Sequence, residues 1–78
     1  MTNLEKYDQL FIRSFRVKPE DLSSLTYRGI PNWDSVGHME LMSDMEEQFK
    51  ISMSTLDVLD FSSYDRGKLI LAKYGVEL

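Results

Sequence analysis

Trp33-Asp34-Ser35-Val36-Gly37-His38-Met39-Glu40-Leu41-Met42-Ser43-Asp44-Met45-Glu46-Glu47-Gln48-Phe49 is the stretch on which the fold turns. Pro31 stops the segment before it, and Asn32 to Ser35 supply polar side chains able to cap a helix. At about 100° per residue, Leu41, Met42, Met45 and Phe49 share one arc, which predicts a core-facing stripe. Glu40, Ser43, Glu46 and Glu47 fall on the opposite, solvated side. Val36 and Met39 break the pattern, because they project with the acidic face, one turn from Ser35. An apolar pair on an acidic face beside a serine at a helix start has the form of a docking surface built around that serine.

The surrounding chain supplies partners for this helix. Thr2 with Glu5 makes a capping box for a first helix, on which Leu4, Tyr7, Phe11 and Phe15 form one stripe, widened by Leu10. Arg16 to Trp33 is a long connection, with Lys18-Pro19-Glu20-Asp21 reading as a turn or a single helical turn led by Pro19. Val17, Leu22, Leu25, Tyr27 and Ile30 are available to pin it by burial. Trp33 either anchors the helix start or meets a partner. Ser54-Thr55-Leu56-Asp57 opens a short third helix ending near Asp60, and Ser62-Ser63-Tyr64-Asp65 opens a last one. In that last helix Tyr64, Ile70, Leu71 and Tyr74 point inward, and Gly67 implies a close approach between helices. Gly75 suits a left-handed cap, with Val76 reaching back to Leu71. The expected fold class is all-α, a four-helix bundle with a long first loop and a short third helix.

Asp34-Ser35-Val36, followed by Glu40-Leu41 and Glu46-Glu47-Gln48-Phe49, is similar to the acyl carrier protein family. In that family an Asp-Ser-Leu motif opens the second of four helices, and its serine carries phosphopantetheine donated by coenzyme A. The resemblance runs from about Leu4 to Tyr74, with the family's length and order of segments. Val36 stands where leucine is usual, Asn32-Trp33 where a glycine usually precedes the Asp-Ser, and Ser52 where proline is common. Arg16 stands where a glycine often ends the first helix. The resemblance implies a discrete carrier domain over residues 1–78, of acyl-carrier type, modified on Ser35. It implies a covalent phosphopantetheine whose thiol holds an acyl or aminoacyl group as a thioester. Fatty, polyketide, aminoacyl and sugar-modifying acyl groups share that handle. It further implies as partners a phosphopantetheinyl transferase and acyl-loading and acyl-accepting enzymes with basic docking patches. Asp34, Val36, Met39, Glu40, Asp44 and Glu47 are the residues expected to meet them.

Composition fits a partner-dependent role. Seventy-eight residues leave little room for a second domain or a deep cleft, and the absence of cysteine leaves no disulfide and no native thiol. A hydrophobic content of 42% argues against disorder. Charge divides unevenly: residues 1–30 carry five basic and four acidic groups, residues 31–60 one and seven, and residues 61–78 three and two. The net −4 therefore lies wholly in the middle, around Ser35. Such a surface disfavours nucleic acid and anionic membrane and suits a basic patch on another protein. With charges near the N-terminus and no long apolar run, the expectation is a soluble, cytoplasmic monomer.

No enzyme is expected. His38 is the only histidine and would have to serve any Ser35 catalytic pair, yet no acid is placed by sequence to orient it. A partly buried structural histidine is the better reading. Asp57 and Asp60 lack the spacing and glycine of a calcium loop, and Glu46 and Glu47 are adjacent on a helix, so no metal site is expected. The alternative function from a different class is an unmodified acidic helical module that binds one protein through the same face.

Overall fold

The computed structural model describes all residues, Met1–Leu78, as four α-helices and one 3-10 helix with no strand. These are α1 (Asn3–Phe15), the 3-10 helix (Pro19–Ser24), α2 (Ser35–Phe49), α3 (Thr55–Asp60) and α4 (Tyr64–Lys73). The protein is all-α. No helix is long and apolar enough to cross a membrane.

Helix α1 starts on the expected capping box: Thr2 Oγ1 accepts from the Glu5 N–H, and Glu5 accepts from the Thr2 N–H. Tyr7, Leu10, Phe11 and Phe15 are buried, whereas Leu4, in the first turn, stays exposed. Phe11 sits at the centre of the core, with the rings of Tyr7, Phe15, Trp33, Phe61 and Tyr64 at centroid distances of 5.0, 6.0, 5.6, 6.3 and 5.3 Å. Most of these pairs are edge-to-face, the arrangement the ring quadrupoles favour. The helix ends at Arg16 in the left-handed region, φ 56°.

The long connection is held at both ends and in the middle. Leu22 and Leu25 are buried, with Val17, Tyr27 and Ile30 half-buried against the core. Asn32 Nδ2 donates to the Phe15 carbonyl at 3.1 Å, satisfying one of the open carbonyls of α1. A β-bridge pairs Thr26 with Ser63: the Tyr27 N–H donates to Ser62 O and the Tyr64 N–H to Leu25 O. The loop that delivers Ser35 is thereby fastened to the start of α4.

Helix α2 buries Leu41, Met42 and Met45 as its periodicity predicts. Phe49, expected in the same core stripe, is only half-buried and lines an open cleft with Asn3, Lys6 and Tyr74. Glu46, expected in solvent, is half-buried as well: its Oε2 accepts from the Met53 N–H at 2.8 Å and ties down the link to α3.

Helix α3 departs from the reciprocal box its sequence suggests. Ser54 Oγ accepts from the Asp57 N–H at 3.2 Å, but the Ser54 N–H donates to Tyr74 Oη at 2.9 Å. The Asp57 carboxylate is taken by Lys73 Nζ at 2.6 Å and Tyr74 Oη at 2.5 Å. This network joins the start of α3 to the end of α4, and it leaves Leu56 and Leu59 in solvent.

Helix α4 is capped by Ser63 and buries Tyr64, Ile70 and Leu71. Gly67 makes room for two aromatic side chains rather than for the close helix–helix approach expected of it, since a Cβ there would lie 2.3 Å from both Phe61 Cζ and Tyr7 Oη. Past its end, Gly75 is left-handed (φ 80°) and the Val76 N–H reaches Leu71 O at 3.1 Å, closing a Schellman motif.

Candidate functional site

Among Asn32 to Ser35, it is Asp34 that caps α2. Its backbone is extended, its Oδ1 accepts from the Gly37 N–H at 2.8 Å, and its carbonyl takes the first helical bond from His38. Ser35 is therefore the first residue inside the helix, and its hydroxyl is not spent on capping. The N–H groups of Ser35 and Val36 have no partner within the protein. They point out of the helix start with its positive dipole end, an environment suited to an anion on the Ser35 oxygen.

The chain enters this helix through a tight fit. Trp33 is fully buried, stacked on Phe15 with centroids 5.2 Å apart. Its indole N–H donates to His38 Nδ1 at 2.9 Å. Trp33 is thus the anchor rather than a partner contact. His38 Nε2 lies 2.8 Å from the Val58 carbonyl, and with Nδ1 accepting, it is Nε2–H that donates. Both ring nitrogens are committed, and neither faces Ser35. Gly37 completes the fit, because a Cβ at that position would lie 2.1 Å from the Asn32 carbonyl oxygen.

Two residues that sequence reasoning did not assign to the site surround the Ser35 hydroxyl. Tyr27 Oη is 3.2 Å from Ser35 Oγ, and an Arg28 terminal nitrogen is 3.4 Å from it. The Arg28 guanidinium also lies over the Tyr27 ring, 5.4 Å from its centroid, and that ring meets His38 edge-to-face with centroids 5.3 Å apart. Hydrogen bonding to Ser35 and then to Arg28 pulls the Tyr27 hydroxyl below the usual phenol range. One signal for this arrangement was present in the sequence: Arg28 is the only Lys or Arg between Lys18 and Lys50.

The remaining site residues lie along α2 in two groups. Val36 and Met39 are 67% and 58% exposed, as the acidic company they keep requires. Glu40, Asp44 and Glu47 line an open polar groove of about 690 Å³ between α1 and α2, together with Arg13, Ser14 and Lys50. No ion pair neutralises them; the two in the protein are Asp60–Arg66 and Asp57–Lys73. Asp44 thus shares the groove facing α1 with Glu40 and Glu47. No family model, curated protein or solved structure matches the chain.

Proposed function

We propose that the protein is a carrier of acyl or aminoacyl groups, with Ser35 as the attachment point for phosphopantetheine from coenzyme A, and that its four α-helices form a bundle of acyl-carrier type. The observation that carries this reading is the division of labour at the start of α2. Asp34 does the capping, so Ser35 presents a hydroxyl not spent on the cap at an exposed helix start, beside two unpartnered N–H groups, the Tyr27 hydroxyl and a guanidinium. A phosphodiester fits that setting, since the donors, the dipole and Arg28 all favour negative charge there. The bound group supplies a terminal thiol for thioester linkage, which a chain without cysteine cannot form by itself.

In this reading the chain's residues present, orient and steer. Trp33, His38 and Gly37 fix the angle at which Ser35 leaves the surface. Val36 and Met39 give a transferase or acyl-handling enzyme an apolar contact, and the unpaired carboxylates of Glu40, Asp44 and Glu47 attract its basic patch. Asp34 shares that surface while its Oδ1 holds the cap. The test is intact mass after incubation with coenzyme A, magnesium and a broad-specificity transferase. The wild type should gain the mass of one phosphopantetheine and Ser35→Ala none. Modification of Ser35→Ala would remove Ser35 as the attachment point, and an unmodified wild type with several transferases would favour the module that binds one protein through the unmodified acidic face.

A further inference from the structure

Arg28 stands where the backbone alone does not call for arginine. It lies in the left-handed region, φ 63°, where Gly or Asn is the easier residue. The turn is closed by the Arg28 N–H donating to Trp33 O at 2.8 Å, a bond any residue but proline would make. Its guanidinium belongs to neither ion pair of the protein, although the stretch that follows it is strongly acidic. One nitrogen reaches Ser35 Oγ at 3.4 Å, which leaves most of its five N–H donors free. Arg28 lines an open hollow of about 410 Å³ together with Gly29, Ile30, Pro31, Trp33 and Asp34.

An anion joined to Ser35 meets two opposed fields. Toward the later turns of α2 lie Glu40 and Glu47, in neither ion pair, in a groove they share with Arg13 and Lys50. Toward the loop lies Arg28, whose hollow also holds the Asp34 cap. Of these cations only Arg28 reaches the Ser35 hydroxyl. Charge-assisted hydrogen bonds to a phosphodiester are among the stronger polar contacts available at a surface, and guanidinium offers them in a fixed fork. Arg28 itself links the two places, since it reaches Ser35 Oγ and also lines the hollow with Ile30 and Pro31. Resting on the attachment reading above, we propose that Arg28 is a positioning residue that holds the phosphodiester on Ser35. The geminal methyl groups at the start of the arm then settle in the Ile30–Pro31 hollow. The resting arm leaves the domain along the loop of residues 28–34 rather than along α2 toward α3.

The experiment compares wild type, Arg28→Asn and Arg28→Lys after transferase loading, each checked by intact mass. Asn tolerates a left-handed backbone, so that variant keeps the turn while losing charge and reach. Circular dichroism confirms the fold before any spectrum is compared. In the loaded wild type, proton NMR should give cross-relaxation between the arm's methyl groups and the side chains of Ile30 and Pro31. The Arg28 side-chain N–H resonances should shift on loading. Arg28→Asn should lose the methyl contacts, and Arg28→Lys should retain part of them because the charge remains. Methyl contacts to Met39 or Val58 in the wild type would overturn the proposal. So would a contact pattern in Arg28→Asn equal to that of wild type. Failure of the wild type to gain mass is a separate result: it removes the attachment reading, and this one with it.

Discussion

The indole N–H of Trp33 donates to His38 Nδ1 across 2.9 Å, with the two rings nearly parallel at 19°. With Asp34 as the cap, Trp33 immediately precedes it and His38 is the fourth residue inside α2. These are the positions where many helices carry an apolar staple that sets the entry angle of the chain. Here the staple is aromatic and hydrogen-bonded, and through His38 Nε2 it continues to the carbonyl of Val58 in α3. One imidazole thus joins the loop that presents Ser35 to the helix that follows α2.

Replacing His38 by Phe tests that joint. The ring volume and stacking are largely kept, while a buried indole N–H and a partly buried carbonyl lose their partners. Leaving such groups unsatisfied costs about 1–3 kcal/mol. Chemical denaturation followed by Trp33 fluorescence should show the loss, and an unchanged midpoint would mean that water replaces both bonds freely.

Gly67 sets two principles against each other. Alanine is the better helix former by about 1 kcal/mol. Yet a Cβ at 2.3 Å from Phe61 Cζ and Tyr7 Oη must displace buried aromatic rings rather than a flexible side-chain end. Tyr7 is further fixed by its hydroxyl donating to Tyr64 O at 2.6 Å. Overpacking of this kind costs about 1–3 kcal/mol and outweighs the propensity gain. Gly67→Ala should therefore melt below wild type; a higher melting temperature would show that the rings move at little cost.

What was legible in the sequence follows from how far each signal reaches. The α1 stripe of Tyr7, Phe11 and Phe15, the Thr2–Glu5 box and the Gly75–Val76 cap are local patterns, and local patterns survive folding. The helix start at Ser35 was legible for the same reason. Phe49 was misjudged because periodicity reports which side of a helix faces inward, not whether neighbours extend far enough to cover its last turn. The Ser54–Asp57 spacing suggests a reciprocal box, but it cannot report Lys73 and Tyr74, the partners that take the Asp57 carboxylate from the end of α4. The place of Tyr27 and Arg28 beside Ser35 was hidden in the same way: it depends on the loop's bridge to Ser62 and Ser63, which no local spacing encodes.

The Asp57 network gives the fold a pH dependence of definite sign. Lys73 first, then Tyr74, holds the Asp57 carboxyl below its ordinary value. A carboxyl with a folded pKa below its unfolded one contributes stability above the unfolded value, about 3.9. That contribution fades as pH falls below this value and through the folded pKa. Denaturation midpoints measured from neutral pH downward should fall in the wild type over this range. Asp57→Asn should start lower and lose less, because the group that titrates is gone. If the two curves run parallel, the acid sensitivity arises elsewhere among the carboxylates.

Met39 separates function from fold. Its side chain is 58% exposed and Glu40 beside it is exposed as well, so the folded monomer gains little from it. Met39→Ala should stay within about 0.5 kcal/mol of wild-type stability, as surface changes usually do. On the proposed carrier reading, in which a partner covers what the monomer leaves bare, the same variant should slow transfer onto Ser35 or delivery to a downstream enzyme. Glu40→Lys acts through the field instead of contact. It should slow association most at low ionic strength, and salt should shrink the difference, since the screening length is about 10 Å at 0.1 M. If Met39→Ala unfolds the domain while each folded molecule reacts normally, Met39 serves the core and the docking face lies on another part of the surface.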